Sequence, residues 1–89
     1  MDNIVFQDKN FVLTSLNFRN EEIITKLITQ AGGKVRSSTV KDTDYIIYGA
    51  TDSKKYLRAM ELKQQGKNIV FISESEFVQW VNKLLESAK

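Results

Sequence analysis

The stretch GGKVRSSTVKDTDYIIYG, from Gly32 to Gly49, decides the fold of this chain. Its first apolar segment, Gly33–Arg36 around Val35, predicts a short strand, and the unbroken run Tyr45–Tyr48 predicts a second, buried strand. The link between them, Ser37–Asp42, is too short and too polar to form a helix with an apolar face. A regular alternation of strands and helices, as in a doubly wound domain, is therefore interrupted at this point.

Apolar periodicity on either side of this stretch supplies the other elements. Strands are predicted at Phe11–Leu13 and Ile69–Ile72. Three helices are predicted from the spacing of apolar residues. The apolar face of the first consists of Ile23, Ile24, Leu27, Ile28 and Ala31, and that of the second of Tyr56, Ala59 and Met60, with Leu57 as a further candidate. The face of the third consists of Phe77, Trp80, Val81, Leu84 and Leu85. The order is β-α-β-β-α-β-α, and the all-apolar strands are typical of a parallel α/β sheet covered by helices on both faces.

Residues that can cap a helix precede each predicted helix. Ser73 and Glu76 have the spacing of a capping box, in which a hydroxyl and a carboxylate satisfy each other's backbone N–H groups. The candidates at the other two helix starts are Asn17 or Asn20, and Thr51, Asp52 or Ser53.

Composition limits the chemistry that is open to this chain. The 89 residues are enough for a single domain, residues 1–89 with a core at about 6–86, and they include no Cys and no His. The carboxylate pairs Glu21–Glu22 and Asp42–Asp44 are explained by a helix start and a turn, and no Gly-rich nucleotide loop occurs. We therefore expect no enzyme activity, metal site, cofactor or small-molecule substrate. No apolar run approaches the roughly 20 residues of a membrane span, so no membrane partner is expected.

Five segments, taken together and in order, resemble one known family. They are Phe6–Thr14, Gly32–Val35, Thr43–Ile47, Ser53–Leu62 and Ile69–Phe77, which are similar to the opening strand, Gly-Gly turn, third strand, second helix and last strand of BRCT domains. The resemblance implies a four-stranded parallel sheet in the order 2-1-3-4. It also implies that the first and third helices cover one face and the second helix the other, with no helix between strands two and three.

Within the family, the chain looks most similar to the BRCT domains of bacterial NAD-dependent DNA ligases and of the replication factor C large subunit. That subgroup carries a Thr at the end of strand one, an Arg at the start of helix one and a Lys at the start of helix two. Matching by motif gives Thr14, Arg19 and Lys55, with Lys54 as the alternative if the register shifts by one. Ser15 stands where the family usually has Gly.

These residues suggest a phosphate site. Strand ends and helix starts of a parallel sheet meet at one edge, so Thr14, Arg19 and Lys55 can converge there with the Ser15 N–H and the helix N-termini. The alternatives to ligand binding are an ion pair between Arg19 and Glu22 and a Lys55 side chain that is simply solvated. The net charge of +2 does not by itself indicate nucleic-acid binding.

The predicted function is a non-catalytic module of a DNA repair or replication protein that binds a 5′-phosphorylated DNA end or the DNA backbone. Repair or replication proteins are further expected partners. The location would be intracellular, either cytoplasmic in a bacterium or nuclear in a eukaryote. The alternative is a protein–protein or homodimer module without phosphate binding, which would use apolar surface on helix one or three. A passive structural domain is a third possibility.

Overall fold

The computed structural model describes residues 4–87. Its elements are β1 (Asn10–Thr14), α1 (Phe18–Gln30), β2 (Lys34–Arg36), β3 (Tyr45–Tyr48), α2 (Lys54–Gln64), β4 (Val70–Ser73) and α3 (Glu74–Ser87). This is the predicted order, and the connection between β2 and β3 contains no helix. The predicted domain limits, residues 1 and 89, lie outside the described residues.

The strands form one parallel sheet in the order β2-β1-β3-β4, as the family resemblance implied. Its register places Thr14 opposite Tyr48, and Tyr48 opposite Ser73. These three residues end their strands side by side, so they form the last row of the carboxyl edge. The row carries three hydroxyl groups. The loops that lead to α1 and α2 leave the sheet beside it, and α3 follows Ser73 directly.

Two separate cores hold the helices against the sheet, one on each face. On the first face α1 and α3 contribute Ile24, Ile28 and Phe77, which pack with Phe11 and Leu13 of β1. On the other face α2 contributes Ala59 and Leu62, which pack with Val12, Ile46 and Ile69. The predicted distribution of helices, two on one face and one on the other, is therefore confirmed.

The caps follow the predicted sequence signals. Asn17 caps α1, and Ser53 caps α2 by accepting the Tyr56 N–H at 3.1 Å. Ser73 and Glu76 form the predicted capping box, in which each N–H donates to the other side chain at 3.2 Å. The Ser73 hydroxyl also donates to Glu76 Oε1 at 2.9 Å, and these two bonds from Ser73 lower the pKa of the exposed Glu76 carboxyl.

The predicted helix faces were wrong at six residues, and the error in α2 has a clear cause. Leu57 and Met60 are 51% and 37% exposed, whereas Leu62, which the prediction omitted, is 2% exposed. Pairs at i and i+3 occur at both Leu57/Met60 and Ala59/Leu62, so spacing alone does not choose between them. In the structure Ala59 and Leu62 pack against apolar residues of the sheet, so α2 buries the second pair. The Ser53 hydroxyl, at the cap of the helix, accepts a hydrogen bond from β1.

The other four errors concern exposed residues of α1 and α3. Ile23, Ala31, Leu84 and Leu85 are exposed. Ala31 is the C-cap of α1. The α3 helix has 14 residues and β4 has four. At about 1.5 Å per helical residue and about 3.3 Å per strand residue, the last turn of α3 extends past the sheet and has no strand to cover it.

The burial difference within α2 gives a direct test of the fold. Leu62→Ala removes a fully buried side chain and is expected to lower the free energy of unfolding by about 2–5 kcal/mol. Met60→Ala, on the outer side of the same helix, should cost less than about 1 kcal/mol. Urea denaturation followed by circular dichroism measures both. Equal losses would show that α2 is rotated relative to this structure.

Candidate phosphate-binding site

The centre of the candidate site is a hydrogen bond between the end of β1 and the start of α2. Thr14 Oγ1 donates to Ser53 Oγ at 2.8 Å, and Ser53 Oγ also accepts the Tyr56 N–H. Both acceptor positions of the Ser53 hydroxyl are thereby used, and no acceptor for its own proton occurs among residues 4–87. The Ser53 hydroxyl is therefore a donor available to a bound anion.

Lys55 brings positive charge to this group. Its side chain is half-buried, and Nζ lies 3.5 Å from the carbonyl oxygen of Leu13, the residue before Thr14. The Lys55 carbonyl accepts a hydrogen bond from Thr39 Oγ1 at 3.0 Å, which fastens the β2–β3 loop to the first turn of α2. Lys55 is thus directed to the end of β1.

Unpaired backbone donors complete this side of the site. The N–H groups of Lys54 and Lys55 precede the first hydrogen bonds of α2, and within residues 4–87 neither has an acceptor. The start of a helix presents such groups to an anion, with the positive end of the helix dipole behind them. Thr14, Ser53 and Lys55 surround this helix start, an arrangement that is compatible with a small anion. We call these three residues and the two N–H groups the phosphate pocket.

Ser15 adopts a strained backbone next to the phosphate pocket. Its φ is 57°, in the left-handed region that favours glycine. The neighbouring loop explains the constraint, because the Gly49 N–H donates to the Thr14 carbonyl at 3.0 Å and a Cβ added to Gly49 would overlap the Ser15 carbonyl oxygen. The position where the family usually has Gly therefore keeps a glycine-like conformation in this chain.

The start of α1 already holds internal acceptors. Glu74 Oε2 accepts from the Asn17 N–H and from Asn20 Nδ2, both at 2.9 Å. The Asn17 side chain accepts the Arg19 N–H at 3.0 Å. A phosphate at this helix start would meet a carboxylate. The starts of α1 and α2 are therefore not equivalent, because a carboxylate accepts hydrogen bonds at the start of α1, whereas the first turn of α2 contains no acidic residue.

The remaining predicted residues, Arg19 and Lys54, are exposed and lie outside this hydrogen-bonded group. Arg19 is in the first turn of α1, and no contact joins its guanidinium to Thr14 or Lys55 among the described residues. Its suggested ion pair with Glu22 is replaced by a Glu22–Lys26 pair at 3.6 Å. Roles for Arg19 and Lys54 in ligand binding stay predictions.

Sequence reasoning missed two residues of this edge. Ser53 was considered only as a helix cap, and its contact with Thr14 spans 39 positions. Glu74 contacts Asn17 across 57 positions, a distance at which no local pattern gives a signal. Within the described part of the chain there is no cluster of three metal-ligating side chains and no helix long and apolar enough to cross a membrane.

A protein-family model and two bacterial DNA ligases match the sequence of this chain. The family model described as the BRCA1 C Terminus (BRCT) domain matches residues 2–79. The DNA ligase of Helicobacter hepaticus is 37% identical over 82 residues, covering 92% of this chain and 12% of the ligase. The DNA ligase of Thermotoga maritima is 40% identical over 73 residues, covering 82% of this chain and 10% of the ligase.

Solved structures agree with these sequence matches. The crystal structure of Rad4 BRCT1,2 in complex with a Mdb1 phosphopeptide superimposes with a TM-score of 0.72 at 25% identity, covering 94% of this chain and 42% of that chain. The C-terminal BRCT domain of human XRCC1 gives a TM-score of 0.68 at 14% identity, covering 100% of this chain and 86% of that one, and it supports the fold alone. The chain belongs to the BRCT domain family, and it spans 12% or less of the length of the two ligases.

The strain at Ser15 is open to measurement. Ser15→Gly is expected to raise the free energy of unfolding by about 0.5–1 kcal/mol, because relief of the left-handed conformation exceeds the entropy that glycine adds to the unfolded chain. The same change in a helix, Ser75→Gly, should lower it by about 0.5 kcal/mol. Thermal unfolding of both variants gives the comparison. A loss of stability in Ser15→Gly would contradict the left-handed assignment.

Proposed function

We propose that this chain is a non-catalytic module that binds a phosphate group of DNA, with a 5′-phosphorylated end as the preferred ligand. The observation that carries the proposal is the phosphate pocket, where the Ser53 hydroxyl, the Lys55 ammonium and two unpaired N–H groups surround the end of β1. Each charge-assisted hydrogen bond contributes about 1.5–3 kcal/mol, so two or three give binding of roughly micromolar strength.

The distribution of charge favours a polyanion on this side of the molecule. Residues 54–67 contain five basic residues and one acidic residue, a net charge of +4, whereas the whole chain carries +2, so the remaining residues sum to −2. The basic segment is α2 and the turn after it, and it begins at the phosphate pocket. A DNA backbone approaching the pocket would therefore meet positive charge on α2.

The relatives support a role of this kind. The curated relatives are DNA ligases, proteins that act on DNA, and the Rad4 structure contains a phosphopeptide bound to two BRCT domains. The first comparison supports the proposal of a role in DNA repair or replication, inside the cell. The Rad4 structure shows a phosphopeptide bound to a related pair of domains. Both are consistent with a phosphate pocket in this chain.

The proposal predicts a dependence on the terminal phosphate. Wild-type protein should bind a 5′-phosphorylated duplex more tightly than its 5′-hydroxyl twin, and Lys55→Ala should remove most of this difference, a loss of about tenfold or more in affinity for the phosphorylated duplex. Fluorescence anisotropy at two salt concentrations measures the effect and separates it from non-specific attraction.

Two further variants serve as controls for charge. Lys83→Ala removes the same charge from α3, on the opposite face, and should leave the phosphate preference unchanged. Lys54→Ala should have a smaller effect than Lys55→Ala, because the Lys54 side chain is exposed and has no contact with β1. Equal binding of the two duplexes by wild-type protein would refute the proposal.

A second candidate function is self-association. It is favoured by exposed apolar residues on α1 and α3, the helices that cover the opposite face of the sheet from α2. Phe18 and Ile23 of α1 are 81% and 58% exposed, and Ile23 borders a groove between α1 and α3 that also includes Val78, Val81 and Leu85. Apolar surface of this kind is typical of an interface. A second copy of the chain is the candidate occupant, because the same surface on both copies gives a closed two-fold dimer.

This second candidate makes its own prediction. The protein should form a dimer in sedimentation equilibrium at micromolar concentration, and Ile23→Lys should shift it to the monomer because a charge would be buried in the interface. Leu57→Lys places the same charge at an exposed position of α2 and should leave the dimer intact. A wild-type protein that remains monomeric at the highest soluble concentration would exclude self-association.

A further inference from the structure

A shallow depression lies on the carboxyl edge of the sheet beside the phosphate pocket. It has a volume of about 380 Å³, and its walls include the Tyr48 ring and the hydroxyl-bearing residues Thr51, Ser73 and Ser75. We call it the β3–β4 depression, since it lies where those two strands end. One aromatic ring and three hydroxyl groups are the kind of lining that holds a flat, polar ring system.

The β3–β4 depression and the phosphate pocket are immediate neighbours. Tyr48 is the register partner of Thr14, and the Gly49 N–H donates to the Thr14 carbonyl at 3.0 Å. Adjacent strands lie about 4.8 Å apart. The phosphate pocket and the depression are therefore bordered by neighbouring strand ends, at Thr14 and at Tyr48.

The Tyr48 ring is held rigidly by other aromatic residues. Its centroid lies 4.9 Å from that of Tyr56 and 6.5 Å from that of Phe71, and Lys63 Nζ lies 5.0 Å from the centroid of Phe71. Tyr48 is half-buried and is one of the residues that line the depression. Burial, and then the nearby Tyr56 and Glu76, raise the pKa of Tyr48.

Charge determines which part of a ligand enters each site. Glu74 lines the depression, and Glu76 follows it in the first turn of α3. These carboxylates disfavour a second phosphate there, whereas they and the hydroxyl groups can accept hydrogen bonds from an amino group on a neutral ring. The positive charge of Lys55 lies on the other side of Thr14. A phosphate and a neutral aromatic base are thus directed to neighbouring sites.

We propose that the β3–β4 depression binds the unpaired nucleobase attached to the phosphate in the phosphate pocket. The substrate class is then a 5′-phosphorylated DNA end with an unpaired terminal base, because pairing occupies the hydrogen-bonding edge of a base, whereas an unpaired base can enter the depression and present that edge to its polar groups. This inference rests on the proposed function, since the phosphate positions the base. It assigns a second recognition element, the base, to the same ligand.

Four matched DNA probes test the inference on the full 89-residue chain. Each is a duplex with a one-nucleotide 5′ overhang, which carries either a base or an abasic tetrahydrofuran residue, and either a 5′-phosphate or a 5′-hydroxyl. Among the phosphorylated probes, the overhang with a base should bind about fivefold more tightly or better, as expected for one stacked base.

Substitutions in the β3–β4 depression test whether the preference for a base arises there. Tyr48→Leu should abolish the preference for the base while leaving affinity for the abasic phosphorylated probe unchanged, and Tyr48→Phe should retain the preference. Ser75→Leu, which fills the depression without altering the aromatic residues, should also abolish it. Circular dichroism identifies any variant that fails to fold, and the comparison of probes on wild-type protein does not depend on a variant.

The possible outcomes distinguish a failure of the base site from a failure of the phosphate pocket. If binding depends on the phosphate but is the same for base and abasic overhangs, the base site is refuted and the phosphate pocket stands. If the 5′-phosphate makes no difference, both are refuted. Competition with a phosphoserine peptide tests the choice of DNA as the ligand. If the peptide displaces the base-bearing probe at a lower concentration than unlabelled DNA does, DNA is not the preferred ligand and the inference is overturned.

Discussion

The hydrogen bond from Thr14 to Ser53 is the interaction on which the candidate site depends. It connects the last residue of β1 to the cap of α2 at 2.8 Å, at the end of the helix whose Ala59 and Leu62 pack into the core. The same bond leaves the Ser53 proton without an acceptor among the described residues. One contact therefore joins β1 to the start of α2 and leaves a hydroxyl proton free for the proposed ligand.

The carboxyl edge of the sheet is divided electrostatically along its length. On the α2 side, Lys55 and two unpaired N–H groups offer positive charge. On the α3 side, the Glu74 carboxylate fills the start of α1 and borders the β3–β4 depression. Ser15 lies between them in a left-handed conformation, because Gly49 packs directly against its carbonyl group. A ligand with one charged end and one neutral end matches this arrangement.

The sequence predicted the features that depend on neighbouring residues and missed those that depend on distant ones. The strands, the helix-free β2–β3 link and the Ser73–Glu76 capping box have local signals, and the sheet order came from the family resemblance. The inner face of α2 had two equivalent solutions in the sequence, and tertiary packing of Ala59 and Leu62 against Val12, Ile46 and Ile69 decides between them. The carboxylate at the start of α1 comes from Glu74, 57 positions away, so local spacing could not reveal it.

Backbone amide shifts give the most direct view of where a phosphate binds. A ¹⁵N-labelled sample titrated with a short 5′-phosphorylated oligonucleotide should show its largest shifts at the amides of Ser15, Lys54 and Lys55, which adjoin the phosphate pocket. A 5′-hydroxyl oligonucleotide of the same sequence should leave these amides nearly unchanged. Shifts confined to α1 and the outer side of α3, or the same shifts with both oligonucleotides, would contradict a phosphate site at the start of α2.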